Sequence, residues 1–131
     1  MRDAAPTTIY LKDYTPFGFL VDSVHLTFDL APHSTRVSAR IAFRPNPEAA
    51  DRTFFLHGEQ LNLISAQIDG DAVQPQITDQ GLTCDVPDAP FVWESVVEID
   101  PANNTALEGL YMSGGMYCTQ CEAEGFRKIT Y

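Results

Sequence analysis

Two runs of alternating residues constrain this chain more than anything else in it. Val24, Leu26, Phe28 and Leu30 are interleaved with His25, Thr27 and Asp29; a second series, Val37, Ala39, Ile41 and Phe43, is interleaved with Ser38, Arg40 and Ala42. A period of two sends successive side chains to opposite faces of extended backbone, so each run reads as a half-buried strand. Ala31-Pro32-His33-Ser34 between them carries turn chemistry, and the pair predicts a long antiparallel hairpin.

The remaining strands are shorter. Pro45 and Pro47 end the second run, because proline has no amide to donate, and residues 48–51 form a polar connection. A third strand starts at Phe54 and Leu56. From Leu61 to Ile68 the apolar parity switches from odd to even, which predicts a bulge near Leu63. Asp69-Gly70-Asp71 is a tight hairpin turn of the Asp-Gly kind. Strands are expected at 72–77 and 82–86, then over Phe91, Trp93, Val97 and Ile99 with Glu94 and Glu98 on the other face. Short strands at such intervals, with no helical period, predict an all-β domain: an antiparallel β-sandwich or saddle-shaped double sheet. Residues 1–17, with Pro6 and Pro16, read as an extended leader, and 18–100 as the strands. Residues 101–131 form a loop-rich C-terminal tail, where Gly109, Gly114, Gly115 and Gly125 mark turns among Leu107, Leu110, Tyr111, Met112, Met116, Tyr117 and Phe126. Those apolar residues on loop-like backbone require something to pack against, either another domain or a second copy of the chain.

Size and charge bound the function. A chain of 131 residues with 44% hydrophobic residues makes one domain, 1–131, and is too apolar for a disordered tail. Eighteen acidic residues against eight basic ones give a net charge of −10, the wrong sign for nucleic acid or an anionic membrane surface. No window is long and apolar enough to span a bilayer, and the first residues lack the apolar core of a secretion signal. Three cysteines, Cys84, Cys118 and Cys121, are an odd set that fits a reducing compartment, so a cytoplasmic location is expected.

Chemical motifs are sparse. Cys118-Thr119-Gln120-Cys121 has the spacing of a zinc knuckle or a redox pair. A structural zinc site needs four ligands, yet the only further candidates are Cys84 and the scattered His25, His33 and His57; a redox pair belongs in a βαβ context absent here. Two reduced thiols on a strand are the plainer reading. No His-Glu-x-x-His, Gly-x-Ser-x-Gly or phosphate-cradling glycine loop occurs. Composition, periodicity and spacing alone end at an acidic all-β domain, and on those grounds a free-standing protein-binding module remains an alternative to an enzyme fragment.

The tail adds a resemblance. Asn104-Thr105-Ala106-Leu107-Glu108-Gly109-Leu110-Tyr111, followed by the run from Cys118 to Tyr131 (CTQCEAEGFRKITY), resembles the bacterial aminopeptidase N family of zinc aminopeptidases. Leu11-Lys12-Asp13-Tyr14, Leu26-Thr27-Phe28-Asp29-Leu30 and Leu56-His57-Gly58-Glu59-Gln60-Leu61 are similar to the same N-terminal domain. The resemblance implies a β-domain that packs on a thermolysin-like catalytic domain and forms one wall of its active site. It also implies that the zinc and the residues that hold it lie in that other domain. The chain is then a truncated piece of a larger enzyme, without catalytic or metal-binding residues and inactive alone.

Two positions carry over. Gln120 and Glu122 fall on the family's Gln-x-Glu pattern, which implies that they bind the free α-amine of a peptide substrate. Residues i and i+2 of an extended segment share a face, so an amide oxygen and a carboxylate there can meet one ammonium group. Without the resemblance, Glu122 would read as an ordinary solvated carboxylate. Glu124 and Arg127 read as rim charges or a local ion pair. Tyr111, Met112, Met116 and Tyr117 either line a specificity pocket or seat the other domain.

Overall fold

The computed structural model describes residues 7–131; the first part of the expected leader, including Pro6, lies outside the described residues. Ten strands follow in order: β1 (Phe19–Asp29), β2 (Thr35–Pro45), β3 (Phe55–His57), β4 (Asn62–Ile68), β5 (Asp71–Ala72), β6 (Gln76–Ile77), β7 (Gly81–Thr83), β8 (Phe91–Ile99), β9 (Gly109–Ser113) and β10 (Met116–Gln120). They form a five-stranded antiparallel sheet ordered β1-β2-β8-β4-β5, a three-stranded sheet β3-β7-β6 and the hairpin β9-β10. This is the expected all-β class.

The central strands obey the alternation closely. In β2, Thr35, Val37, Ala39, Ile41 and Phe43 are buried; in β8, Phe91, Trp93, Ser95, Val97 and Ile99 are buried. Their outer faces pair charges across the ladder, with Arg36 opposite Glu98 and Arg40 opposite Glu94. The parity switch also has its counterpart. The β4–β8 register shifts between Leu63 and Ser65, so Ile64 is the extra residue of a bulge and points its apolar side chain to solvent. A second bulge, at Asp22 of β1, puts that carboxylate 2.8 Å from Arg44.

Edge strand β1 departs from expectation. Val24, Leu26 and Phe28 lie opposite the buried Ile41, Ala39 and Val37, on the same side of the sheet. Nevertheless Val24 is 52% exposed and Phe28 41%. The period correctly gives the side, but burial depends on a facing layer, and none of the described elements covers this edge. The leader differs too: Leu11–Asp13 make one 3-10 turn, and Ile9, Leu11 and Tyr14 are exposed.

What joins the layers is a cluster of rings. Phe54, immediately before β3, packs against Phe19, Phe43, Phe91 and Trp93 of the large sheet at centroid distances of 5.5, 5.1, 5.5 and 5.5 Å. Leu82 of β7 is fully buried in the same core. Edge-to-face ring pairs add to the area they remove from water, so this cluster is both the bulk and the register of the interface.

Within the loop-rich tail there is one hairpin. Gly114 and Gly115, at φ 57° and 79°, form a two-residue hairpin turn between β9 and β10, a conformation that favours glycine at both positions. Of the apolar groups expected to need another domain or copy, Leu110 instead joins the core of this chain, together with Ile129 and Tyr131 at its end. Leu107, Met116, Tyr117 and Phe126 do remain exposed.

Truncating Phe54→Ala empties the centre of the ring cluster and is expected to cost about 3–5 kcal/mol, whereas Ile77→Ala, at an exposed edge, should stay within about 0.5 kcal/mol of the parent. Urea unfolding midpoints of the two variants check the contrast.

Candidate functional site

Gln120 is the last residue of β10 and pairs with Gly109 of β9. Glu122 lies beyond the strand, in a turn over residues 122–124 that leads into a 3-10 segment, Gly125–Lys128. The expectation of one continuous extended segment is therefore corrected: strand geometry ends at Gln120, and the two residues are related by a turn. A different contact links them. The Gln120 side-chain oxygen Oε1 accepts a hydrogen bond from the Glu122 backbone N–H at 3.1 Å. Both side chains are exposed, and the Glu122 carboxylate has no ion-pair partner among the described residues.

The turn is held by close backbone approach. A Cβ on Gly125 would sit on the Gln120 carbonyl oxygen, and one on Gly109 (φ 77°) would come within 2.8 Å of the Lys128 Cβ. Glycine at both points lets the 3-10 segment lie directly against the base of the hairpin. The Gly125 N–H then donates to the Cys121 carbonyl at 3.0 Å, closing the loop that carries Glu122. The peptide between Glu122 and Ala123 is cis.

A second brace comes from the loop after β3. The Glu59 N–H donates to the Arg127 carbonyl at 2.8 Å, and the Glu59 carboxylate lies 3.1 Å from the Lys128 ammonium and 3.8 Å from the Arg127 guanidinium. Arg127 also reaches Glu124 at 3.7 Å, the local ion pair expected of those residues. Next to Glu59, Gly58 leaves room for the Tyr131 ring, whose phenol burial pushes above its ordinary pKa. His57 packs edge-on against Phe55 at 4.9 Å. Partial burial, and secondarily the nearby Arg127 charge, hold its imidazole below the usual histidine pKa despite the opposing carboxylates of Glu124 and Glu59.

The cysteines are free thiols. Cys118 lies within β10, while Cys121 is past its end and packs against the core, so the pair straddles the strand terminus rather than sharing a strand. Burial, and then the neighbouring Asp85, raise the Cys84 thiol pKa and favour its protonated form. Among the described residues no group of three or more His, Cys, Asp or Glu is arranged to hold a metal ion, and the zinc of the resemblance is expected in another domain. No helix among them is long and apolar enough to cross a membrane.

Hollows mark the surface of the described residues. One of about 820 Å³ lies between Arg52, Phe54, Gln74, Gln76 and Cys84; one of about 360 Å³ lies between Gln60, Asp100, Asn104, Leu110 and Lys128. Neither is lined by Gln120 or Glu122, which stand on an open surface.

Burial of His57 makes a pH dependence measurable. A base whose folded pKa is depressed favours the fold while neutral, so its contribution is complete above the unfolded value near 6.5 and is lost as pH falls below it. Between pH 7.5 and 5.5 the urea midpoint of the parent should fall further than that of His57→Gln; equal falls would remove His57 as the source.

No family model matches the sequence. Individual proteins do. Aminopeptidase N of Caulobacter vibrioides is 48% identical over 135 aligned residues, covering 100% of this chain and 15% of that protein. Aminopeptidase N of Escherichia coli is 40% identical, covering 96% of this chain and 14% of its own length, and that of Haemophilus influenzae is 42% identical, covering 93% and 14%. Among solved structures, Legionella pneumophila aminopeptidase A in complex with aspartic acid superposes with a TM-score of 0.80 at 28% identity, covering 90% of this chain and 14% of that one. The chain thus spans about 15% of the length of the curated relatives it matches. With that similarity running end to end, the chain is similar throughout to a segment of aminopeptidase N proteins, and an N-terminal position fits the matches.

Proposed function

We propose that this segment is the non-catalytic, amine-anchoring portion of a zinc aminopeptidase that removes amino-terminal residues from peptides. The observation that carries the reading is the pair Gln120 and Glu122, on the family's Gln-x-Glu pattern, hydrogen-bonded to each other and open to solvent at the end of a braced hairpin. The Gln120 oxygen spends one lone pair on the Glu122 amide and keeps the other for an ammonium hydrogen. The Glu122 carboxylate supplies the charge. A charge-assisted bond of this kind is about twice as strong as a neutral one, and a blocked or internal peptide leaves the carboxylate unpaired in a closed site. Discrimination for a free amino terminus follows, and anchoring the amine fixes which peptide bond reaches the hydrolytic centre.

The hydrolytic zinc belongs to the remainder of the enzyme in this reading. So does the cover for the exposed apolar surface: Ile9, Leu11 and Tyr14 of the leader and the inner side of β1 are the places where a monomer of this size would be covered by further protein. The openness of Gln120 and Glu122 has the same sense, since an anchor needs an opposing wall to exclude water.

Supplied with zinc and an alanine anilide, the 131-residue chain should show no turnover above blank. In a full-length enzyme carrying this segment, Glu122→Ala should raise KM for free-amine substrates by about tenfold or more, the loss of one charge-assisted contact, and lower kcat as well. Unchanged kinetics would remove Glu122 from the site.

A further inference from the structure

We infer that Glu59 is a positioning residue for the Glu122 carboxylate, an inference that rests on the amine-anchor reading above. Glu122 sits on a short turn with no secondary structure of its own. Something must fix that turn if its carboxylate is to meet an ammonium within hydrogen-bond distance. On one side β10 does so through Gln120. On the other side the turn ends at Gly125, and the segment Gly125–Lys128 is gripped from outside the tail by Glu59, through both its backbone and its side chain.

The geometry makes this grip specific. Lys128 has only 13% of its side chain exposed, and its Cβ lies against Gly109, so an ammonium on a mostly buried stem is directed at the Glu59 carboxylate 3.1 Å away. Removing Glu59 leaves the mostly buried Lys128 ammonium without its partner, which favours a shift of the segment that carries it toward solvent. Arg127 sits one step earlier. Its carbonyl accepts from the Glu59 amide at 2.8 Å and its guanidinium lies 3.8 Å from the same carboxylate. Because Gly125 is in backbone contact with the Gln120 carbonyl, a shift of Gly125–Lys128 displaces the base of the Glu122 turn directly. Arg127 binds Glu124 as well, so the far end of that turn is tied to the same cluster. The Glu59 side chain touches neither Gln120 nor Glu122; its effect passes through Lys128, Arg127 and Gly125.

The test is a double-mutant cycle in a full-length aminopeptidase carrying this segment, with an alanine anilide and with two competitive inhibitors, an amino-acid amide and the matching hydroxy-acid amide. Glu59→Ala should raise KM about tenfold and weaken the amino inhibitor while leaving the hydroxy inhibitor within about twofold. Glu59→Gln, which keeps an oxygen acceptor for Lys128, should restore most of the loss. In the Glu122→Ala background, Glu59→Ala should add less than about twofold, since the group it positions is gone. The inference is overturned by an unchanged KM in Glu59→Ala, by equal losses in both backgrounds, or by equal weakening of both inhibitors, which marks general structural damage. If Glu122→Ala alone leaves KM unchanged, the anchor reading fails and this inference falls with it; a Glu122 effect without a Glu59 effect sinks the inference alone. Should Glu59→Ala not accumulate, Lys128→Met breaks the same link and is read by the same outcomes.

Discussion

Burial of Phe54 between the two sheets is the contact on which the remaining geometry rests. The small sheet has three strands of two or three residues each, too short to stand alone, and it is placed by the rings that Phe54 meets on β2 and β8 and by Leu82 beside them. Once β3 is fixed, the loop after it delivers Gly58 and Glu59 to the tail. Tyr131 fills the space that Gly58 leaves, and Lys128 meets Glu59. The open end of the β9–β10 hairpin is thereby tied to the core through the layer that Phe54 anchors. A site made of exposed side chains can thus inherit the rigidity of a core it does not enter.

The electrostatics around this junction are economical. The pairs Arg36 with Glu98 and Arg40 with Glu94 lie on an exposed sheet face, where each is worth little. Glu59 with Lys128 is different, because one partner is nearly buried and the geometry is shared with a backbone hydrogen bond. Glu122 is left outside this network. Its carboxylate makes no ion pair among the described residues.

How much of this was legible in the sequence depended on where the determining contact lies. β2 and β8 were read correctly because a central strand has neighbours on both sides and a layer above it, so its alternation is its burial. In β1 the same alternation named the inner side but not its coverage, because Val24 and Phe28 have no layer over them among the described residues. The tail hairpin is not legible locally, because two adjacent glycines read as a generic turn, and β9, buried at Gly109 and Leu110 in succession, and the mostly exposed β10 leave no period to follow. Gln120 and Glu122 were reached only through resemblance, and the shared-face argument offered for them does not hold, since Glu122 is in a turn. Nothing local could have paired Glu59 with Lys128, because that contact exists only after the sheets have stacked.

The outer rim of β1 has a colloidal consequence. Eleven residues of ladder edge, with apolar groups beside outward-facing amides and carbonyls that no described strand pairs, form a template onto which a neighbouring molecule can add strand by strand. The kink at Asp22 interrupts that template, and a net charge of −10 makes copies repel one another. Dispersal of the isolated segment is therefore governed by ionic strength, through the screening of that repulsion, more than by the depth of its hydrophobic interior.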